Sequence, residues 1–396
     1  MADMLTFSRD TMMTVNVNNI IWEIPILSGF SFSQQQDVSE ITLNEASAAN
    51  GTARRGRNMQ INALQPAEFS FQTYIRPFDS KGTNVTGNAE KNGDAFNHVV
   101  EEVLWSLLTQ DSGGTYTQTS DSADSAVAGF TQAAAATTLA GFGSKNTLNT
   151  CKIQFIMNSN NSSNDIVYEL RNAVINECTI DFDIEGIATA TWSGFAQTLT
   201  EEASTPDDKT VYEGVNATNN FIRNRLSSAT ITAASLSSTQ AFELAITGGS
   251  WTYSNNITFL TPDELGKVNK PTVHVAGHRS VSGSFTCYLN ADIGTAGVNA
   301  NLFELIAEAG VTGTADTSAN KFIVDLFIGG KASTEVPLSP GLYIDMEQCH
   351  LAIPTHSMDD LVSLEITYDA LPSTIAGVDE ITKMVFTGPT PNVDPS

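Results

Sequence analysis

WEIPILSGFSFS, Trp22 to Ser33, returns later in the chain as FELAITGGSWTYS, Phe242 to Ser254, once Ser250 is allowed as one extra residue. Glu23 falls on Glu243, Ile26 on Ile246 and Gly29 on Gly249, and the aromatic pair Phe30 and Phe32 falls on Trp251 and Tyr253. A repeat of this kind bears on the whole architecture, and further matches extend outward from it. FSFQTYIRP (Phe69 to Pro77) lies on GSFTCYLNA (Gly283 to Ala291), with Phe71 on Phe285 and Tyr74 on Tyr288. CKIQFIM (Cys151 to Met157) matches FIVDLFI (Phe322 to Ile328), and YELRNAVI (Tyr168 to Ile175) matches IDMEQCHL (Ile344 to Leu351). EGIATATWSGFA (Glu185 to Ala196) sits against DDLVSLEITYDA (Asp359 to Ala370).

Each copy also offers a helix between its early and late strands. In AFNHVVEEVLWSLL, Ala95, Val99, Val103, Leu107 and Leu108 follow the spacing of an amphipathic helix; NANLFELIAEAG places Leu302, Phe303, Leu305 and Ile306 likewise, with Gly310 as a stop. The expected domains are 1–204 and 205–396, joined through TEEASTPDDK. The first copy carries a long loop, 44–65, and a low-complexity insertion, 109–150, expected to be a structureless loop or surface arm. The second has an extension after Leu371 in which ITKMVFTGP reads as one more strand, docking on a neighbour. Strands such as FSFQTYI alternate with period two, which makes the fold class mainly β: an antiparallel sandwich or barrel per copy with one helix on its flank.

The chain has 396 residues, enough for two cores without staples, and a formal net charge of -25. Residues 1–204 carry 10 basic and 23 acidic side chains (-13); the remainder carries 9 and 21 (-12). A distributed negative charge excludes a basic nucleic-acid grip, and 41% hydrophobic residues exclude simple disorder. Cys151, Cys178, Cys287 and Cys349 are scattered and read as reduced, semi-buried thiols. The start lacks the pattern of a secretory signal, and no window has the apolar length of a membrane helix, so synthesis and folding in a cytoplasm are expected.

Enzymatic motifs are absent. GFGSKNT, Gly141 to Thr147, lacks the order of a phosphate loop and reads as a flexible loop. His274 and His278 in VHVAGH lie about 13 Å apart if the segment is extended, too far for a compact zinc site. TIDFDIEG aligns Asp181, Asp183 and Glu185 on one strand face, open to three readings: a solvated face, a cation site or an acidic lining. RRGR, with Arg54, Arg55 and Arg57, is the densest basic cluster and reads as a loop that meets an acidic surface on a neighbouring subunit.

GFSFSQQQDVSEITLNE, PAEFSFQTYIRP, the segment AFNHVVEEVLWSLL and the ending DDLVSLEITYDALP together resemble the major tail tube proteins of long-tailed bacteriophages, here of a doubled type. The resemblance implies a β-sandwich with a flanking helix and a long inter-strand loop. It implies no enzyme activity and no cofactor, catalytic or metal site. It further implies self-association into stacked rings around a lumen, with three two-domain chains giving a pseudo-hexameric ring. The implied partners are the tape measure protein in the lumen, tail terminator and baseplate or tail-tip proteins at the ends, and double-stranded DNA that passes without specific binding. The place is the virion tail, assembled in the host cytoplasm without a membrane span. A capsid decoration protein or adhesin is the alternative reading; a carbohydrate-active enzyme would need paired carboxylates at a cleft, and an outer-membrane barrel a signal peptide and lipid-facing strands.

Overall fold

The computed structural model describes residues 8–42, 56–79, 97–118, 125–132, 136–143, 147–157, 165–202, 221–233, 240–289, 302, 306, 322–330, 336–337, 340–358 and 361–388. The first half supplies β1 (Thr11–Val17), β2 (Ile20–Ile24), β3 (Ser31–Thr42), β4 (Arg57–Tyr74), β5 (Pro77–Asp79), β6 (Asn97–Val99) and α1 (Glu102–Thr109). After α1 come β7 (Tyr116–Gln118), β8 (Ser125–Val127), β9 (Phe130–Gln132), β10 (Thr137–Leu139), β11 (Cys151–Met157), β12 (Ile166–Asp183), β13 (Thr189–Ala196) and β14 (Thr198–Glu202). The second half supplies β15 (Ser228–Ala233), β16 (Gln240–Leu244), β17 (Ile246–Ser254), β18 (Thr258–Leu260), β19 (Val273–Val275) and β20 (Ser280–Tyr288). It closes with β21 (Phe322–Ile328), β22 (Gly341–Leu351), β23 (Thr355–Met358), β24 (Val362–Ala370) and β25 (Lys383–Thr387). The chain is mainly β, as the alternation predicts.

Pairing is antiparallel and follows one order in each half. In the first it runs β2–β1–β11–β12–β13–β4–β3, with β14 beside the start of β12. In the second it runs β16–β15–β21–β22–β24–β20–β17, with β25 beside the start of β22. Both carry a register shift at the same step, Cys151/Ile153 against β12 and Phe322/Val324 against β22. Such bulges turn a strand, and β12 needs a turn: its first part belongs to one sheet and its last part to another. Asn172 sits at that corner with φ 49°, a left-handed conformation that Asn tolerates better than most residues.

The two halves are stitched together. Glu177–Asp183 of β12 pairs with Gly248–Ser254 of β17, making one sheet continuous across the halves. β10 pairs with β25. The insertion is therefore not structureless as expected: its described parts form β7 to β10, because Leu139 and Thr137 alternate inward onto the open side of β25. The strand expected to dock on a neighbour, β25, docks instead on its own chain, burying Met384 and Phe386 between β22 and β10.

α1 is shorter than the predicted helix, because Asn97–Val99 is extended and pairs with Pro77–Asp79. All eight of its residues are buried, so the helix is packed into the core on every side. Trp105 lies 4.8 Å from Trp192, 6.1 Å from Trp251 and 5.9 Å from Phe386, ring centre to ring centre, joining both halves in one core. In the second half Leu302 and Ile306 are helical and buried in that same core.

β3 and β4 continue past the sheet as a two-stranded arm. The predicted loop 44–65 is thus too wide at its far end, since Arg57 onward is strand paired with β3. Register shifts at Gln34/Gln36 and Asp37/Val38 interrupt the regular pairing where the arm leaves the sheet. Asn269 of the second half grips its base: Leu64 N donates to Asn269 O at 2.9 Å and Asn269 N to Asn62 O at 3.1 Å.

Candidate functional site: the polar face of the central sheet

Six strands in the order β4–β13–β12–β17–β20–β24 form one sheet with two unlike faces. Inward point Phe69, Phe71, Trp192, Cys178, Ile180, Trp251, Phe285 and Ile366, all buried. Period-two alternation then fixes what points outward, and those residues stand in rows. Gln72, Thr191, Thr179, Thr252, Ser282 and Asp369 are successive partners across the six strands. Tyr74, Thr189, Asp181, Ser250, Ser284 and Thr367 form the next row.

Neighbours within the rows bond to one another. Gln72 Nε2 donates to Thr191 Oγ1 at 3.0 Å, Thr179 and Thr252 share a hydroxyl hydrogen bond at 3.2 Å, and Ser250 and Ser284 share one at 3.4 Å. These side chains are therefore held flat and partly satisfied by each other, which leaves a hydroxyl-rich surface with few free donors. Within the segments paired in this sheet the outward charges are Glu68, Glu177, Asp181, Asp183, Glu365 and Asp369, with no lysine or arginine; Arg57 on β4 and Arg171 on β12 lie beyond those segments. The arrangement offers no nucleophile with a base. It offers a smooth acidic and hydroxylic surface.

Asp181 stands on this face between Thr189 and Ser250, exposed. Asp183 is the last residue of β12, at the sheet's end beside Gly248. Glu185 does not join them on the strand as expected, because the chain turns after Asp183 and Gly186 takes φ 125°. Arg57 begins β4 on the arm and faces Glu40 at 3.6 Å across the hairpin; Arg54 and Arg55 lie outside the described residues. Glu365 and Asp369 were legible in LEITYDA, whose Leu, Ile, Tyr and Ala positions alternate inward, and were missed.

The histidines do not form a pair. β19 ends at Val275, so His278 is off the strand; His274 is buried and its Nε2 accepts the Leu148 N–H at 3.1 Å. Burial holds His274 below the ordinary imidazole value of 6.5. Among the described residues no group of His, Cys, Asp and Glu could hold a metal ion, and no described helix is long and apolar enough to cross a membrane.

Two buried ion pairs brace the sheet. Arg279 Nε lies 3.2 Å from Glu380 Oε2 while its other nitrogens donate to Tyr253 Oη and Gly143 O, each at 3.2 Å, tying the start of β20 to both halves. Glu101, preceding α1, accepts the Arg76 N–H at 3.2 Å, and its other oxygen lies 3.8 Å from Arg76 Nε. Desolvation raises the Glu101 carboxyl to about 7 in spite of the guanidinium.

A model of phage tail tube proteins matches residues 38–370. The tail tube protein pb6 of Escherichia phage T5 is 26% identical over 375 residues, which cover 90% of this chain and 69% of that protein. The hydroxyl-rich sheet, the projecting arm and a family match over most of the chain agree: the chain belongs to the phage tail tube protein family and is a structural, non-enzymatic component of the virion tail.

Proposed function

We propose that this chain is a tandem duplicate of a tube domain, and that three copies close into a ring whose inner wall is the polar face described above. The observation that carries this reading is the β12–β17 joint together with the edges left at either end of the chain. The last part of β12 is paired on both sides, by β13 and β17. In the second half the place of β12 is held by β22 and, beside the start of β24, by β23, which among the described residues pairs only with β24. The counterpart of β17 is the start of β3, which among the described residues pairs only with β4.

One chain thus contains one completed joint and the two halves of another. Open edges are costly to leave bare, and a head-to-tail contact that repeats a rotation closes into a ring. Ile353 (60% exposed) just before β23 and Met358 (75%) at its end offer apolar surface that a neighbouring strand would cover. Ser31 opposite Ser70 corresponds to Ser250 opposite Ser284, so transfer of the internal register puts Thr355 of one chain opposite Ser33 of the next.

Rings stack through the β3–β4 arm, which carries exposed Val38, Ile41, Met59 and Ile61 and leads to Arg54 and Arg55. The wall is a conduit for the genome: carboxylates and mutually bonded hydroxyls repel or ignore phosphates, so DNA and, before it, a tape measure protein pass without sticking. Terminator and tail-tip proteins cap the two ends. Electron microscopy of the purified protein tests the reading. Hollow tubes or stacked rings are expected; a particle that stays monomeric at high concentration and binds glycans would favour a surface adhesin instead.

A further inference from the structure

The halves share one strand order but differ at one connection of the central sheet. In the first half β13 passes to β14 through Gln197 alone; in the second, β24 reaches β25 through a loop, 371–382. Both feet of this loop are anchored. Leu371 N donates to Gln348 O at 2.7 Å, Ile381 is buried, and Glu380, only 7% exposed, is held in the ion pair with Arg279. The crown is tied across as well: Ser373 N donates to Asp379 Oδ1 at 3.1 Å, and Gly377 N donates to Thr374 O at 2.8 Å, closing a turn with Ile375 and Ala376 at its tip. A Cβ on Gly377 would fall 2.5 Å from Asp379 Oδ1 and 3.0 Å from Pro372 Cβ, so the turn is drawn tight. Turn positions are dominated by Gly, Pro, Asn, Asp and Ser, yet this fixed tip holds a fully exposed isoleucine.

A hollow lies at the opposite end of the same sheet. The loop leaves beyond Ala370, Val281 and Tyr253, which are successive partners across β24, β20 and β17. At the other end of β12 and β17, beside Asp183 and Gly248, is a cavity of about 280 Å³ whose lining includes Phe182, Ile246 and Tyr288, with Asn224 and Ala245. Arg279, on which the loop rests, also donates to Gly143 O of the first half, so loop and cavity both sit where the halves meet, one at each end. Copies stacked in the same sense therefore bring a loop end against a cavity end, and a ring of three offers three loops to three cavities. Asn224 is only 7% exposed, yet its Oδ1 has no donor, and a buried acceptor left without a partner is costly. The tip carries what the cavity lacks: a branched aliphatic side chain for the wall of Phe182, Ile246 and Tyr288, and backbone N–H groups for Asn224 Oδ1.

We infer that the Thr374–Gly377 turn of one copy seats Ile375 in this cavity of a second copy in the adjacent ring, a contact that only the second half of the chain can make and that recurs three times per ring. This rests on the tube reading, and its failure is separable from failure of that reading. Ile375→Asp should leave the monomer's melting temperature and single rings unchanged and reduce pelletable tube at least tenfold, while Ile375→Leu keeps tubes at the wild-type amount. Normal tubes from Ile375→Asp would overturn the inference, and so would a lowered melting temperature, which would place Ile375 in the packing of its own chain. Wild-type protein that forms no tubes would overturn the tube reading instead. Ile375→Cys with Ala245→Cys reports the contact directly, the four native cysteines being buried. After oxidation of assembled tubes, a denaturing gel without reductant should show a ladder running past three chains, because each ring is linked to the next. A ladder that stops at three chains, or no cross-link at all, would also overturn the inference.

Discussion

Glu101 is a carboxyl whose surroundings oppose its charge. Its folded value near 7 exceeds the ordinary 4.5, so between those values the folded chain keeps a proton that the unfolded chain has released. The stability tied to this group is full below about pH 4.5 and is lost as pH rises through 7. Between pH 5 and 8 the wild type should lose up to about 3 kcal/mol more than Glu101→Gln, read from urea unfolding at each pH. A parallel pair of pH curves would contradict the assignment. His274 acts with the opposite sign: its value is lowered, so its contribution is present above pH 6.5 and lost as pH falls. Neither behaviour was legible in the sequence, because burial of a charged or titratable group depends on which strands close over it. Trp105 was legible only as one apolar position of a helix; its contacts with Trp192, Trp251 and Phe386 come from three distant segments. Trp105→Ala should cost about 3–5 kcal/mol, and a variant melting within a degree of wild type would show that α1 does not hold the halves together.

At the scale of elements, the strands that alternate were readable and the ones that bend were not. FSFQTYI and LEITYDA declare their inner faces by period two, and both lie in the central sheet. IVYELRNAVINECTIDFD reads as two pieces because its alternation breaks at Asn172, where one strand passes from sheet to sheet. The short β10 hides in low-complexity sequence, since only Thr137 and Leu139 mark its inner side. The repeat alignment also slips locally: pairing opposite β4 and β20 puts Phe32, not Phe30, in the place of Trp251. For the wall, Asp181→Lys, Glu365→Lys and Asp369→Lys together should leave tubes intact and slow DNA exit from tails built with that chain. Unchanged ejection would remove this face from the lumen. At the edge, Met358 is 75% exposed, so Met358→Lys should leave the monomer's melting temperature unchanged and block ring closure in sedimentation. Rings of normal size would show that β23 is not the joint.

At the scale of the molecule, the charge of -25 divides evenly between halves that share one strand order, and the outward carboxylates of the sheet concentrate part of it on a single face. The halves are not separate bodies: β12 with β17, β10 with β25 and Asn269 with the arm are among the ties between them. The central claim is that the internal joint is repeated between chains. Thr355→Cys with Ser33→Cys places two thiols on opposed strands at a spacing a disulfide can bridge, and the four native cysteines, all buried, do not compete. After mild oxidation of assembled protein, a denaturing gel without reductant should show dimer and trimer and nothing larger. A ladder continuing to six chains, or no cross-link in intact tubes, would contradict the account.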